Sequence, residues 1–373
     1  MQRRQFLSTL AAASAVLAVR PSQARPADRV LLVVELAGGN DSLNTFIPYT
    51  DPNYQTLRPD LAIRDGIPVS SKVAFHPALT EWRSLLDAGS LAVVQNVGYP
   101  NPDLSHFRSQ EIWHSGLMQP TPATGWLARY LDASGAKPAD AIFLGGEYPL
   151  ALMGHSQRYL HLSPELVVSG GGALGDAVRD LYSHPQSNPL AERVRQTVAE
   201  GSHALQELRS DIERSPARGY PRSPMGRTLA LLERSLQSGA KVVYVTVGGW
   251  DTHTNQLNRH ARLLEQLGQG LATLYRNLER EGRDREVLAL VHSEFGRRPA
   301  QNGSRGTDHG TAGSAMLLGS VRGGLYGGAP ALDSLTDGNL VVQIDFRRIY
   351  SEILNHWLGA TPTSVLQQSF ERL

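Results

Sequence analysis

Four runs made up mostly of aliphatic and β-branched residues occur along the chain, and each run ends in glycines or polar residues. They cover residues 29–36, 91–97, 241–247 and 286–291. A strand with one wet face alternates apolar and polar positions, whereas a strand buried on both faces is apolar throughout. The pattern therefore predicts four strands in the interior of a sheet.

Segments with the helical spacing of apolar residues lie between these strands and after the last one. They cover residues 76–88, 227–236, 255–281 and 346–358, and Gly359 ends the last of them. Strands that alternate with amphipathic helices are typical of a parallel sheet whose two faces are covered by helices. We predict an α/β fold with a mostly parallel central sheet and helices on both faces.

The first residues have the composition of an export signal. Arg3 and Arg4 are adjacent, a modest apolar run covers residues 10–19, and the small residues at 22–24 are typical of a cleavage site. Regions of this kind in this order predict a twin-arginine signal peptide over residues 1–24, cleaved near Ala24. The apolar run is too short to cross a bilayer core, so no stable membrane span is expected. We predict the twin-arginine export machinery as a partner and a periplasmic or otherwise exported mature protein.

The rest of the chain, residues 29–373, is interpreted as one domain, with a helical and loop insertion near 184–224 that is polar and rich in serine and proline. The chain has 36 basic and 35 acidic residues, a net charge of +1. This balance argues against nucleic-acid binding, which requires clustered positive charge to neutralise phosphates. The chain has no cysteine, so disulfides, thiolate zinc sites and cysteine nucleophiles are excluded.

One glycine-rich segment, residues 170–175, matches the dinucleotide-binding fingerprint. That fingerprint has meaning only after a strand and before a helix within a βαβ unit, and no such unit surrounds this segment. The chain also lacks the Gly-x-Ser-x-Gly elbow of the α/β-hydrolases. We therefore predict neither a nicotinamide site nor an esterase of that class.

Polar residues of the kinds that bind metals or anions follow each predicted strand. They are Asn40 and Asp41; Ser105, His106 and Arg108; Asp251 and His253; and Glu294, Arg297, Asp308 and His309. If the strands are parallel, these side chains converge on the carboxyl edge of the sheet, where α/β proteins bind ligands. Carboxylates and imidazoles without thiolates suit Zn²⁺ or Mn²⁺, and with fewer histidines Mg²⁺ or Ca²⁺. The sequence predicts a site for one or two divalent metal ions, Zn²⁺ or Mn²⁺ being preferred.

Each of these residues alone also has a plainer interpretation. Asp41 follows a glycine turn and is suited to cap the next helix. Asp308 and His309 fit a tight turn in a glycine-rich loop, and Ser105 fits a helix cap with His106 beside it. The recurrence of such residues after four strands favours the metal site.

Five short blocks of the sequence resemble those of a known bacterial family. They are GGNDSLN at 38–44, SHFRSQ at 105–110, GWDTH at 249–253, SEFGR at 293–297 and GTDHG at 306–310. In this order they resemble the domain-of-unknown-function 1501 family, and the likeness covers nearly all of the chain after residue 29. That family is similar in fold to the alkaline phosphatase, sulfatase and phosphoglycerate mutase superfamily. The resemblance implies an alkaline-phosphatase-like fold and an activity on phosphate or sulfate esters.

The resemblance also implies roles for individual residues. By position, Asp41 would be the first metal ligand and Ser105 the nucleophile that opens a helix. Asp251 and His253 would bind one metal ion. Their Asp-x-His spacing is tighter than the superfamily pattern, and His106 is an alternative to Ser105 as the functional group at its position.

Two assignments of the second metal position remain open. In the preferred one, Glu294 takes the acidic place, because it directly follows a strand, and His309 is the late histidine. In the other, Asp308 and His309 form the adjacent Asp-His pair of the superfamily, and Glu294 lies behind the ligands. Arg297 and Arg108 are candidates for binding a tetrahedral anion, and Asn40 is a further candidate for contacting substrate.

The sequence thus predicts an exported metal-dependent hydrolase of phosphate or sulfate esters, with a small anionic or envelope-derived substrate. The alternative is a metal-stabilised binding or assembly protein of the cell envelope that has the same scaffold and no turnover, since fold alone does not imply function.

Overall fold

The computed structural model describes residues 19, 24–25, 28–137, 140–146, 148–155, 159–162, 180, 182–196, 198–199 and 218–373. Most of the predicted signal peptide and all of the glycine-rich segment 170–175 lie outside the described residues. The predicted insertion is described at 184–196, 198–199 and 218–224, with helical residues at 189–196. Within the predicted signal peptide, Val19 is buried and pairs with Val321 in an antiparallel bridge.

The described part of the chain alternates strands and helices. The strands are β1 (Val30–Leu36), β2 (Phe46–Ile47), β3 (Ile67–Pro68), β4 (Ala74–Phe75), β5 (Leu91–Gly98), β6 (Ala141–Leu144), β7 (Leu160–Leu162), β8 (Val242–Val247), β9 (Val287–His292), β10 (Gly313–Gly319), β11 (Gly324–Tyr326) and β12 (Ile344–Asp345). The helices are α1 (Ser42–Thr45), α2 (Pro52–Leu57), α3 (Trp82–Asp87), α4 (His106–Ser115), α5 (Trp126–Ala133), α6 (Pro224–Ser235), α7 (Gln256–Arg280), α8 (Phe346–Glu352) and α9 (Pro362–Leu366). Short 3-10 helices cover Leu150–Leu152 and Leu236–Ser238, and a π-helical turn covers Ile353–Trp357.

Among the residues that the structure describes, the central sheet has nine strands, in the order β11-β5-β10-β9-β1-β8-β6-β7, with β12 paired to β5. The run from β9 to β7 is parallel throughout, and β10 is antiparallel to both of its neighbours. The carboxyl ends of β1, β5, β8 and β9 therefore lie along one edge. The prediction of an α/β fold with a mostly parallel sheet is confirmed. A small sheet of β2, β4 and β3 lies apart from it.

Side chains of β1 alternate between two apolar cores, one on each face of the sheet. Leu32 and Val34 pack with α3, α6 and α7, whereas Leu31 and Val33 pack with α4, α5 and α8. All four side chains are fully buried. Because both faces of the strand are covered, its sequence is apolar at every position except Glu35, and this pattern makes the strand recognisable.

Two predicted helices differ from the observed ones. The segment predicted as a helix over 76–88 is helical only over Trp82–Asp87. His76 precedes a proline, which disfavours the helical conformation there, and the chain instead makes a turn in which Leu79 donates to the His76 carbonyl. The helix predicted over 346–358 begins at Phe346 as expected, and its last turn is π-helical.

No helix among the described residues has the length and apolar character needed to cross a bilayer.

Candidate metal centre

Loops at the carboxyl edge of the sheet bring together residues from four parts of the chain. Asp251 and His253 follow β8, Glu294 follows β9, His309 lies in the loop before β10, and His106 is the first residue of α4. Their backbones approach closely where glycine stands. Gly38, at the end of β1, has φ +122°, and a Cβ there would collide with the backbone nitrogen of Asp251. The close contact between the loops after β1 and β8 therefore requires glycine.

Three histidines direct the same ring atom toward Asp251. The Nε2 atom of His253 lies 3.1 Å from the Asp251 carboxylate, that of His309 3.4 Å, and that of His106 3.7 Å. The Nε2 atoms of His253 and His309 are 2.9 Å apart. One ligand atom from each of His106, Asp251 and His309 lies within 4.8 Å of the others. The four side chains thus form one cluster, the histidine–aspartate cluster.

The opposite nitrogen of each ring is held by an oxygen. His106 Nδ1 lies 2.7 Å from Glu294 Oε1, and His309 Nδ1 lies 2.7 Å from the Leu104 carbonyl. His253 Nδ1 lies 3.2 Å from Asp308 Oδ1. A carbonyl or an ionised carboxylate only accepts hydrogen bonds, so each Nδ1 donates and each neutral ring has an unprotonated Nε2.

This arrangement places three nitrogen lone pairs and a carboxylate against one another, which is repulsive unless a cation or additional protons lie among them. Histidine ligands of metals characteristically donate their second ring N–H to a carboxylate or a backbone carbonyl. Three imidazoles and one carboxylate suit zinc or another first-row metal. The residues present therefore fit a divalent metal ion. The Asp251 side chain is 46% exposed, so the cluster is open to solvent.

The charges in the cluster influence one another's protonation. Burial opposes ionisation of Asp251, but the Arg297 guanidinium and the neighbouring histidines hold its pKa below the usual value. The hydrogen bond that His106 donates to Glu294, partly opposed by burial, raises the pKa of His106. Burial lowers the pKa of His309, and the positive charge of Arg297 acts in the same direction. His309 is thereby biased toward the neutral form that binds metals.

Glu294 lies behind the cluster, with its side chain fully buried. It accepts hydrogen bonds from the backbone N–H groups of Gly38 and Gly39, at 2.8 and 3.1 Å, and from the Ser293 hydroxyl at 3.1 Å. It also accepts a hydrogen bond from His106 Nδ1. Glu294 thus lies behind His106, the place that the second assignment from sequence gives it, and the ligand roles in both assignments stay predictions.

Arg297 is also buried beneath the cluster. Its guanidinium donates to Asp251 and to the backbone carbonyls of Gly39 and Thr307, the last two at 2.8 Å, and further to those of Gly38 and Trp250. These bonds join the loops after β1 and β8 to the loop that carries His309. With its donors engaged by protein oxygens, Arg297 orders the loops in this structure.

Ser105 stands at the N-cap position of α4, directly before His106. Its side chain is exposed and makes no capping hydrogen bond to the helix. Its backbone N–H instead donates to Asp103 Oδ1 at 2.7 Å, which forms the turn into the helix. The hydroxyl is therefore not held by the helix that it precedes.

Asp41 and Asn40 lie in a neighbouring, fully buried network. Asp41 caps α1 and forms an ion pair with Arg58 at 2.6 Å, and Gln256 donates to the same carboxylate oxygen as Arg58. Although burial acts in the opposite direction, the Arg58 charge lowers the pKa of Asp41. The Asn40 side chain donates to Thr45. The structure thus does not bring these two residues into the histidine–aspartate cluster.

Asp308 borders the cluster through its contact with His253, and Arg108 lies on α4, the helix that carries His106. Arg108 donates to Glu111 and to the carbonyls of Met118 and Gln119, so it ties α4 to the segment after it. Asp308, 55% exposed, also accepts a hydrogen bond from Asn302 at 3.0 Å. This bond, together with the contact to His253, lowers the pKa of Asp308.

Sequence reasoning missed the Leu104 carbonyl and Asn302, because backbone acceptors and a lone amide carry no recognisable motif.

Comparisons with known proteins identify a family and give distant structural neighbours. The C-terminal periplasmic domain of EcEptC from Escherichia coli, in complex with Zn, is 11% identical; the match covers 82% of this chain and 77% of that one, with a TM-score of 0.41. The lipoteichoic acid synthase LtaP from Listeria monocytogenes is 7% identical. That match covers 91% of this chain and 76% of the other, with a TM-score of 0.39. A protein in the alkaline phosphatase superfamily from Vibrio parahaemolyticus is 10% identical. That match covers 96% of this chain and 75% of the other, with a TM-score of 0.42.

No curated protein matches the sequence. The family model described as "Protein of unknown function (DUF1501)" matches residues 27–357. That range contains the five sequence blocks and every member of the histidine–aspartate cluster, and it is most of the chain. The protein therefore belongs to the DUF1501 family.

Proposed function

We propose that the protein is an exported metal-dependent hydrolase of phosphate or sulfate esters. The observation that carries this proposal is the convergence of three histidine Nε2 atoms on the Asp251 carboxylate, each ring being fixed through its Nδ1 atom. Such an arrangement is costly without a cation and is partly open to solvent. It has the properties expected of a catalytic metal site, which needs an accessible position for substrate.

His106, Asp251 and His309 would hold the metal ion, with His253 as a fourth ligand, and zinc or manganese is the preferred ion. Bound there, a divalent ion would polarise an ester oxygen as a Lewis acid. Glu294 and the Leu104 carbonyl orient two of the rings, and Arg297 fixes Asp251 and the loops that carry these residues.

The Ser105 hydroxyl is the proposed nucleophile. It is exposed, is not engaged by its own helix, and directly precedes a residue of the cluster. A nucleophile at the start of a helix also benefits from the positive end of the helix dipole, which favours the anionic form of the reacting group. Export through the twin-arginine route is part of the same proposal and rests on the sequence of residues 1–24.

One observation favours the second candidate function, a metal-stabilised binding or assembly protein. Arg297, the arginine nearest to Asp251, is fully buried and donates to protein oxygens, so it does not offer a free guanidinium to a substrate anion. The two functions differ in whether the metal-loaded protein turns over an ester.

The experiment is an assay of phosphate and sulfate release from 4-nitrophenyl phosphate and 4-nitrophenyl sulfate by zinc- or manganese-loaded protein. The Ser105→Ala variant tests the nucleophile, and Ser84→Ala, an exposed serine on α3, is the matched control. We expect turnover by the wild type and the control and none by Ser105→Ala, which should keep its metal. Equal turnover by Ser105→Ala would rule out Ser105 as the nucleophile. Metal-loaded wild type without turnover would favour the binding or assembly protein.

A further inference from the structure

A second carboxylate–histidine contact lies on the same helix as His106. Glu35, near the end of β1, lies 3.0 Å from Nε2 of His114 in the last turn of α4. The Glu35 side chain is 1% exposed and that of His114 is 11% exposed. Neither residue belongs to the histidine–aspartate cluster, and the proposed function does not use them.

Glu35 is ionised although it is buried. Burial favours the neutral acid, but His114 and the hydrogen bond from Tyr244 outweigh it and lower the pKa of Glu35 to about 2. The Tyr244 hydroxyl donates to Oε2 at 2.9 Å and the Thr246 hydroxyl at 3.3 Å, while Oε1 faces His114. Both carboxylate oxygens are therefore engaged, and His114 is the helix residue that binds one of them.

The two histidine contacts hold α4 at both ends to neighbouring strands. His106 and His114 are eight residues apart, which in an α-helix is a rise of about 12 Å with side chains within about 80° of each other. Glu35 belongs to β1, and Glu294 follows β9 by two residues; Glu35 and His292 are paired across these two strands. Between the two contacts, the Trp113 ring stacks on His292 with centroids 4.6 Å apart.

We infer that the Glu35–His114 pair is a positioning device that sets the place of α4 over the sheet edge and so directs His106 Nε2 into the metal site. This inference rests on the proposed metal function. A buried charge that loses its partner is strongly unfavourable, so the pair resists displacement of the helix. Small displacements of a ligand are sufficient to weaken a metal site, because its geometry is held by the supporting residues.

The test compares two Glu→Gln variants of the full chain. Glu35→Gln removes the charge of the positioning pair, and Glu111→Gln removes an ion pair with Arg108 that lies wholly on α4. Zinc affinity is measured by competition with a chromophoric chelator, and folding is checked by circular dichroism. We expect Glu35→Gln to weaken zinc binding by about tenfold or more, the usual effect of losing a residue that supports a ligand. Glu111→Gln should stay within about twofold of the wild type.

A second readout does not need the metal. The Nδ1 proton of His106, bound by Glu294, should give a low-field NMR resonance that is identified by its absence in His106→Gln. Displacement of α4 should remove this resonance in Glu35→Gln and leave it in Glu111→Gln. If the wild type binds no zinc, the proposed function fails, and the resonance still decides the positioning role.

Folded Glu35→Gln with wild-type zinc affinity, or with the His106 resonance intact when no zinc binds, would overturn the inference. If Glu35→Gln does not fold, His114→Leu is measured instead. It removes the side chain of α4 that contacts Glu35, while Tyr244 and Thr246 still donate to the carboxylate, and the same outcomes apply.

Discussion

The Nε2 atoms of His253 and His309 face each other at 2.9 Å, although both rings are held in place by acceptors at their other nitrogen. Two facing acceptors at this distance require a shared proton or a cation. Because Asp251 lies within 3.4 Å of both atoms, a cation there gains a carboxylate as well as two imidazoles. This relationship is the basis of the predictions that follow.

The contact between Asp308 and His253 should tune the affinity of the site without being part of its ligand set. Asp308→Asn weakens the acceptor that orients the His253 ring, so we expect zinc affinity to fall by about tenfold with unchanged stoichiometry. A chelator titration measures this, with the exposed Asp333→Asn as the matched control. Loss of bound zinc at saturation would instead make Asp308 a ligand.

The buried Asp41–Arg58 pair should stabilise the fold rather than hold metal. Asp41→Asn leaves Arg58 buried without its counter-charge, and we expect the free energy of unfolding to fall by about 3–5 kcal/mol. Zinc content of the folded variant should equal that of the wild type. Urea unfolding and elemental analysis of the same preparation give both values. A stable variant that has lost its zinc would support the ligand role that the family resemblance implies for Asp41.

Gly306 should be required for the loop that carries His309. A Cβ at this position would collide with the carbonyl group of His253, whereas a Cβ on Gly303 in the same loop meets nothing within 4 Å. Gly306→Ala should therefore cost about 1–3 kcal/mol of stability and weaken zinc binding, and Gly303→Ala should do neither. Similar zinc affinity in the two variants would contradict the close packing of the loops.

Stability should fall in mild acid partly because of His260. Burial lowers the pKa of this histidine from 6.5 to about 4. The unfolded chain therefore takes up a proton that the folded chain excludes, and stability is lost as the pH falls from about 6.5 toward 4. His260→Gln can still donate to Asn40 but has no imidazole to protonate. Its free energy of unfolding should therefore fall less over this pH range than that of the wild type, by up to roughly 3 kcal/mol. Urea unfolding of both proteins is measured at several pH values in the presence of a chelator. The same dependence of the free energy of unfolding on pH in both proteins would contradict this prediction.

The sequence predicted the sheet well because burial on both faces makes most positions of its strands apolar. Leu31–Val34 and Val242–Val245 contain only aliphatic and aromatic side chains, and they lie on adjacent parallel strands. The segment at 76–88 was predicted less well. Its apolar residues have helical spacing, but His76 precedes a proline, which disfavours the helical conformation. The helix therefore begins only at Trp82.

The sequence singled out the residues of the histidine–aspartate cluster but not their arrangement, and their binding of metal stays a prediction. His106, Asp251, His253 and His309 were candidates because they follow strands that end at one edge. Which carboxylate faces the cluster depends on loop geometry: Glu294 is engaged by the N–H groups of two glycines and turns to His106 from behind. Spacing along the chain contains no information about such contacts.

The most direct test of the metal centre is the metal content of the purified full chain, measured by elemental analysis beside the Asp251→Ala/His309→Ala double variant. After equilibration with zinc or manganese and removal of free metal, the wild type should hold about one equivalent, and the folded double variant should hold none. Equal metal content in both folded proteins, or none in the wild type after reconstitution, would contradict a metal site at this cluster.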